Sequence, residues 1–233
     1  MESARRIDIS TYSPSALLGR SLNDVESKYA PRALYTAGSM RIPLPRPRVA
    51  IVGSRQATPQ SLAEAESIAK TLTREGVVVV SGLARGIDSA AHRAAIESGG
   101  QTIAVLGTPL DKVYPRENAE LQAEIIKHHL VVSQYAIGSI VKRSNFVRRN
   151  RTMALIADAS VIVQAGESSG SLSQGYEALR LGRPLFIWKR LLESPLSWPK
   201  EMVRYGAMEL SDPEELLESL PSKRSVLEIS PVS

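Results

Sequence analysis

The most constraining feature of this 233-residue chain is the spacing of its short apolar runs, which alternate with amphipathic stretches of helical period from Arg48 onward. Arg48 to Val52 reads as a strand. Thr58 then caps a helix that begins at Pro59, carries Leu62, Ala65, Ile68, Ala69 and Leu72 at helical spacing, and stops at Gly76. Four consecutive valines, 77–80, follow. A run that is apolar at every position marks a strand whose sheet is covered by helices on both faces. The alternation continues as helix 88–98, strand 102–106, helix 118–128, strand 130–133, helix 146–157, strand 160–164, helix 172–181 and strand 184–188. About six strands in such a series predict an α/β class, a doubly wound and mostly parallel sheet, Rossmann-like in an extended form. Asp212, Pro213 and Glu215 predict a capping box for one last helix with Leu216, Leu217 and Leu220 on its apolar side.

Before Arg48 the pattern is irregular. RIPLPRPR, 41–48, holds three prolines and disfavours both helix and sheet. The expected organisation is therefore an N-terminal accessory segment and extended lead-in over 1–47, a Rossmann-like domain over 48–220 that would carry any binding site, and a C-terminal tail over 221–233. Within the lead-in, a short helix is expected over 14–28 and a short strand over 33–38. No apolar run has the length of a secretion signal or of a membrane span, so a cytoplasmic location without membrane contact is expected.

In an open parallel sheet, ligands bind beyond the carboxyl ends of the strands. Three junctions there are rich in small residues: Gly53, Ser54 and Arg55; Ser81, Gly82, Leu83, Ala84, Arg85 and Gly86; and Ser168, Ser169, Gly170, Ser171 and Leu172. Each turns the backbone sharply into a helix and leaves amide N–H groups for an anion. Glycine after a strand can be turn chemistry alone, but three such turns on one edge favour a binding site. Neither the dinucleotide-binding glycine fingerprint nor the Walker lysine loop is present, which disfavours NAD and P-loop chemistry. Asp88 is placed to cap the following helix, His92 reads as a packed structural histidine, and His128 and His129 end a helix. With no cysteine and three histidines, thiolate chemistry is excluded and a zinc site is disfavoured; no catalytic, metal or cofactor residue is assigned.

Lys and Arg exceed Asp and Glu by 29 − 24 = 5, and five of the cations cluster without an acid at Lys142, Arg143, Arg148, Arg149 and Arg151. On a helix over 146–157, Phe146, Asn150, Met153 and Ile156 or Ala157 would face inward while Arg148, Arg149 and Arg151 spread over the outside. Cations at a helix start oppose its dipole, so a polyanion explains them better than helix stability does. A strand of nucleic acid uses more of these charges than a mononucleotide can. The 11 aromatic residues (7 Tyr, 2 Phe and 2 Trp) spare the glycine loops, so phosphate contacts are expected to dominate over stacking.

These stretches resemble the DprA/Smf DNA-processing family: VAIVGSR (49–55), VVVVSGLARGIDSAAHRAA (77–95), TIAVLGTPLDKVYPREN (102–118), NFVRRNR (145–151), SSGSLSQGYEALRLGRP (168–184) and the YGAMEL stretch near the C-terminus. The resemblance spans roughly 29–218. It implies an extended Rossmann domain that binds single-stranded DNA, protects it and assists loading of a RecA-type recombinase in natural transformation. The DNA phosphates would lie on the three loops and on Lys142, Arg143, Asn145, Phe146, Arg148, Arg149, Asn150 and Arg151. The chain departs from the family pattern at Gln134, at Val147, where proline usually follows the phenylalanine, and at Trp188-Lys189, where Pro-Gly is usual. Its length suggests a minimal, core-only member. The resemblance also implies a homodimer, for which Leu185 to Trp188, Leu191, Leu192, Leu196 and Trp198 offer apolar surface, unless they only cover a sheet edge. Two other readings compete. One is the related lysine-decarboxylase-like phosphoribohydrolase group, whose catalytic glutamate would align on Gln174, an amide that cannot serve as acid or base. The other is a nucleotide-sensing module.

Overall fold

The computed structural model describes residues 7–221. In chain order its elements are β1 (Ser10–Tyr12), α1 (Pro14–Leu18), α2 (Asp24–Tyr29), β2 (Leu34–Gly38), β3 (Arg48–Gly53), α3 (Pro59–Arg74), β4 (Val78–Ser81), α4 (Ile87–Glu97) and β5 (Thr102–Leu106). After a single 3-10 turn (Arg116–Asn118) come α5 (Ala119–His128), β6 (Leu130–Ser133), α6 (Arg143–Ile156), β7 (Ala159–Gln164), α7 (Gly170–Arg180), β8 (Leu185–Trp188), α8 (Lys189–Leu192), α9 (Trp198–Arg204), β9 (Met208–Leu210) and α10 (Glu215–Glu218).

One nine-stranded sheet runs β1-β2-β6-β5-β4-β3-β7-β8-β9, parallel from β6 to β9, with β2 and β1 added antiparallel at one edge. This is the doubly wound, mostly parallel sheet that the alternation predicts. From the central β3 the chain winds outward through β4, β5 and β6, then returns to place β7 on β3's other side. That reversal makes the carboxyl ends of β3 and β7 the topological switch point, where such sheets open a crevice.

Strand residues alternate between two covered faces, as continuous apolar runs require. Ala50, Val52, Val78 and Val80 pack toward α1, α6, α7 and α9 through Leu17, Met153, Ala178 and Met202. Val49, Ile51, Val77 and Val79 pack toward α3 and α4 through Ile68, Leu72 and Ala91. Thr58 caps α3 by accepting from the amide of Ser61, with Pro59 in the first turn, as the sequence indicates.

The segment before Arg48 shares this core. β2 pairs with β6, and Leu17, Leu18, Leu34, Met40 and Leu44 lie in the same apolar cluster as Val52 and Ile162. The stretch expected as one helix over 14–28 is two, α1 and α2, interrupted where Gly19 takes φ 68° and Asn23 starts a capping box with Glu26. A buried ionic cluster fixes the junction. Arg183 pairs with Glu26 at 2.8 Å and Arg20 pairs with the same carboxylate at 2.6 Å. Asp158 takes Arg46 at 2.7 Å and the fully buried Arg48 at 3.4 Å. The Arg20 guanidinium holds the Glu26 carboxyl down at about 2.

Other boundaries shift. α6 begins at Arg143, three residues before the expected start. The YGAMEL stretch supplies the added edge strand β9. At the C-terminus the Glu215 carboxylate accepts from the amides of Ser211 and Asp212, although the helix proper begins only at Glu215. The expected tail beyond Pro221 lies outside the described residues.

Candidate nucleic-acid interface

The three glycine-rich junctions converge on one cleft of 1210 Å³ at the switch point. Its floor and walls include Gly53, Ser54, Arg55, Gly82, Ala84, Arg85, Ser169, Gly170 and Ser171, together with Arg143, Phe146, Arg149 and Asn150 from α6. Side chains on α6 hold the loops in register. Arg149 is buried and donates through Nη1 to the carbonyl oxygens of Gly82 and, at 2.7 Å, Val105. A Cβ at position 82 would overlap this guanidinium, so glycine is required there by close approach. Asn150 donates to Gly170 O at 2.9 Å and to Ser173 Oγ at 2.6 Å, and Ser171 Oγ donates to Gly53 O at 2.9 Å, which ties the third loop to the first.

Asp88 does not cap α4. The N-cap is Gly86, which makes no side-chain cap bond, and the buried Asp88 carboxylate turns back to accept from the amides of Gly82 and Ala84 at 3.1 and 3.3 Å. Two amides that the sequence offers to an anion are thus occupied by an internal one. The amides of Arg85 and Gly86 have no acceptor among the described residues and remain available. Burial pushes the Asp88 carboxyl up and the Arg149 guanidinium down, and each opposes the other's shift by its charge. Leu83 between them has φ 56°, a left-handed conformation that a branched side chain rarely adopts. Burial of its side chain, and Asn118 Nδ2 donating to its carbonyl at 3.0 Å, hold it there.

Several expected contact residues therefore lie elsewhere. Leu83 and Leu172 point into apolar clusters, and the buried Ser81 hydroxyl donates to Ile51 O at 2.6 Å. Asn145 is buried. Arg149 lies inside rather than on the outer face of α6, three residues after Phe146 and on its side of the helix, where two carbonyls accept from it. Lys142, Arg148 and Arg151 are exposed but do not line the cleft. Arg85 does reach it, paired with Glu117.

The segment 113–117, quoted in the sequence only as part of a longer run, forms the facing wall. Its Tyr114 ring, half exposed, lies 5.1 Å from that of Phe146, and the Arg55 guanidinium stands 5.7 Å from the Phe146 centroid. Phe146 packs so close over Gly107 that a Cβ there would strike its ring. The glycine loops carry no aromatic residue, as the sequence shows, yet the cleft they line holds these two rings, of which Tyr114 is not among the expected contacts. Nothing local in the sequence brings Tyr114 and Phe146 together; β5 and α6 must first be placed on the sheet.

His92 is buried, with Nδ1 2.6 Å from Thr102 Oγ1, and burial lowers it to about 3, a structural neutral histidine that does not line the cleft. Gln174 lies at the cleft floor, fully buried, with Nε2 donating to Ser160 Oγ at 3.2 Å. A carboxylate general acid or base is missing at the position where the phosphoribohydrolase reading needs one. Of the apolar residues expected at a dimer surface, Leu185, Phe186, Ile187, Leu191 and Trp198 are buried, while Trp188, Leu192 and Leu196 are half-buried and pack against the core. Among the described residues no helix is long and apolar enough to cross a membrane.

Comparison with known proteins agrees with this architecture. The chain is 33% identical over 194 residues to the DNA processing protein DprA of Bacillus subtilis, covering 83% of this chain and 65% of that one. It is 38% identical over 189 residues to DprA of Streptococcus pneumoniae, covering 81% and 66%. The chain thus spans just under two thirds of the length of these relatives. A solved structure of Helicobacter pylori DNA processing protein A, described for its single-stranded DNA binding mode, superposes with a TM-score of 0.77 at 27% identity, covering 91% of this chain and 95% of that one. The family model for DNA recombination-mediator protein A matches residues 13–221, and with the fold and the cleft in agreement the chain belongs to that family.

Proposed function

We propose that the cleft binds single-stranded DNA and that the protein acts, without catalysis of its own, as a mediator that delivers the strand to a RecA-type recombinase. The observation that carries the binding reading is the pairing of two chemistries in one cleft. Arg55, Arg85, Arg116 and Arg143 offer charge to phosphates, while Tyr114 and Phe146 offer ring faces to bases. A base can stack on such a ring only when it is free of a duplex partner, which favours a single strand. Relatives in the family are named as DNA processing proteins, and one is described by its single-stranded DNA binding.

RecA delivery and self-association rest on that family membership. With most of the expected interface residues buried, the exposed Tyr176 and Tyr205 rings, 6.5 Å apart, offer apolar surface for a second copy. Binding is tested with a fluorescent single-stranded oligonucleotide against its duplex over a salt series. Four cleft arginines at about 0.7 each give a slope of log K against log salt of about −2 to −3. A flat response, or equal affinity for the duplex, would contradict the proposal. Sedimentation with and without oligonucleotide tests the dimer.

A further inference from the structure

α6 carries cations on two faces, and only one belongs to the cleft. Arg148 and Arg151, three residues apart and hence neighbours on the helix, are exposed and do not line it. Arg151 instead stands 5.4 Å from the centroid of Tyr29 on α2. Arg180 of α7 lies 4.4 Å from the same ring, and the Lys28 ammonium 5.4 Å from it. Tyr29 remains 44% exposed. The half-buried Tyr135 reaches the same helix, its hydroxyl donating at 3.2 Å to the carbonyl of Asn145, one turn before Arg148, which itself lies one turn before Arg151. The strip thus reads Tyr135, Arg148, Arg151, Tyr29, with Arg180 and Lys28 around the last ring.

The charges in this strip exceed what the fold uses. Glu177 alone bonds both Arg151, at 2.8 Å, and Arg180, at 2.6 Å. Arg148 and Lys28 make no ion pair among the described residues. Four cations against Glu177 leave 4 − 1 = +3, and counting Asp24 one turn before Lys28 still leaves +2. Exposed cations interleaved with aromatic rings suit a strand that presents phosphates and bare bases in turn. An acidic peptide would use the charge but not the rings.

We propose that this strip is a second contact for single-stranded nucleic acid, occupied by the part of a strand that extends out of the cleft. The proposal rests on the cleft reading only in taking one strand to serve both surfaces. Arg143 in the cleft and Arg148 on the strip are five residues apart on α6, roughly 7.5 Å along its axis at 1.5 Å per residue.

The test compares oligothymidines of about four and about sixteen nucleotides, bracketing the usual footprint of a single-strand site. The variants are Arg148→Ala with Arg151→Ala, and separately Tyr29→Ala. Both should leave the short oligomer's affinity unchanged and weaken the long one roughly tenfold, with the double variant's salt slope less negative by about 1.4, at 0.7 per lost contact. Melting curves show whether loss of the Glu177 contact disturbs the fold. Arg148→Ala alone, which removes no ion pair, keeps the test valid if it does. Unchanged long-oligomer affinity in every variant would overturn the proposal, as would an equal loss for both lengths, which would assign these residues to the cleft. Should the wild-type protein fail to bind the short oligomer yet lose long-oligomer affinity in these variants, the cleft reading fails while the strip stands.

Discussion

Replacing Arg149 with alanine should damage the fold more than an arginine in a basic cluster ordinarily would. The side chain is 6% exposed and supplies the hydrogens for Gly82 O, Val105 O and, through Nε, Asn150 Oδ1 at 3.0 Å. Truncation strands two buried carbonyls, at about 1–3 kcal/mol each. It also removes the cation facing Asp88, although that carboxylate keeps the amides of Gly82 and Ala84 and can take up a proton, which limits the penalty. The sum is about 3–5 kcal/mol, the range for breaking a buried charge partnership. For a domain of this size about 2–4 °C is lost per kcal/mol, so the melting temperature should fall by about 6–20 °C. Arg149→Lys should fall between, since one ammonium cannot repeat the planar fork. Thermal denaturation followed by circular dichroism, with oligonucleotide binding measured where each variant is folded, reads both effects. An Arg149→Ala protein that melts within about 2 °C of wild type and binds DNA poorly would refute the reasoning and return Arg149 to the exposed role that the sequence suggested.

Other perturbations separate the remaining roles. Phe146→Ala should weaken single-stranded DNA binding by about 1–3 kcal/mol while leaving the salt slope unchanged, because a stacking surface and not a charge is lost; titrations at several salt concentrations check both. Glu117→Gln frees Arg85 from its partner and should tighten binding at low salt, with the gain fading as salt rises; the same titrations read it. Acid should destabilise the protein in two stages, followed by denaturant melts from pH 8 to 3. His92 takes its proton in the unfolded state near 6.5 but in the folded state only near 3, so stability declines as pH falls below about 6.5. Glu26, depressed to about 2 in the fold, adds a steeper loss below about 4.5. Stability that is flat from pH 7 to 5 would contradict the His92 assignment.

What the sequence discloses follows from the reach of each signal. The parallel sheet is legible because apolar runs such as Val77 to Val80 state locally that both faces are covered. The three loops are legible because each sits at a strand end. Side-chain direction is not, because it depends on partners far along the chain. Arg149 turns inward toward a carbonyl 67 residues away, and Asp88 turns back on the loop before its own helix. On α6, Arg143, Arg149 and Asn150 lie three or four residues from Phe146 and share its side, whereas Arg148 and Arg151 fall on another, and only the placement of Phe146 on the sheet says which side meets the cleft. The ionic cluster that ties the segment before Arg48 to the rest of the fold joins Glu26 to Arg183 and Arg46 to Asp158, pairs more than a hundred positions apart. β2 has a weak local pattern and becomes a strand by pairing with β6.

A single strand bound in the cleft would lie between the 113–117 wall and α6. Photocrosslinking with an iodouracil-substituted oligonucleotide, read by mass spectrometry of the digested complex, locates the bases directly. The account predicts adducts on Tyr114 and Phe146, suppressed by excess unlabelled single strand and not by duplex. Adducts confined to Tyr176 and Tyr205, with none in the cleft, would contradict it.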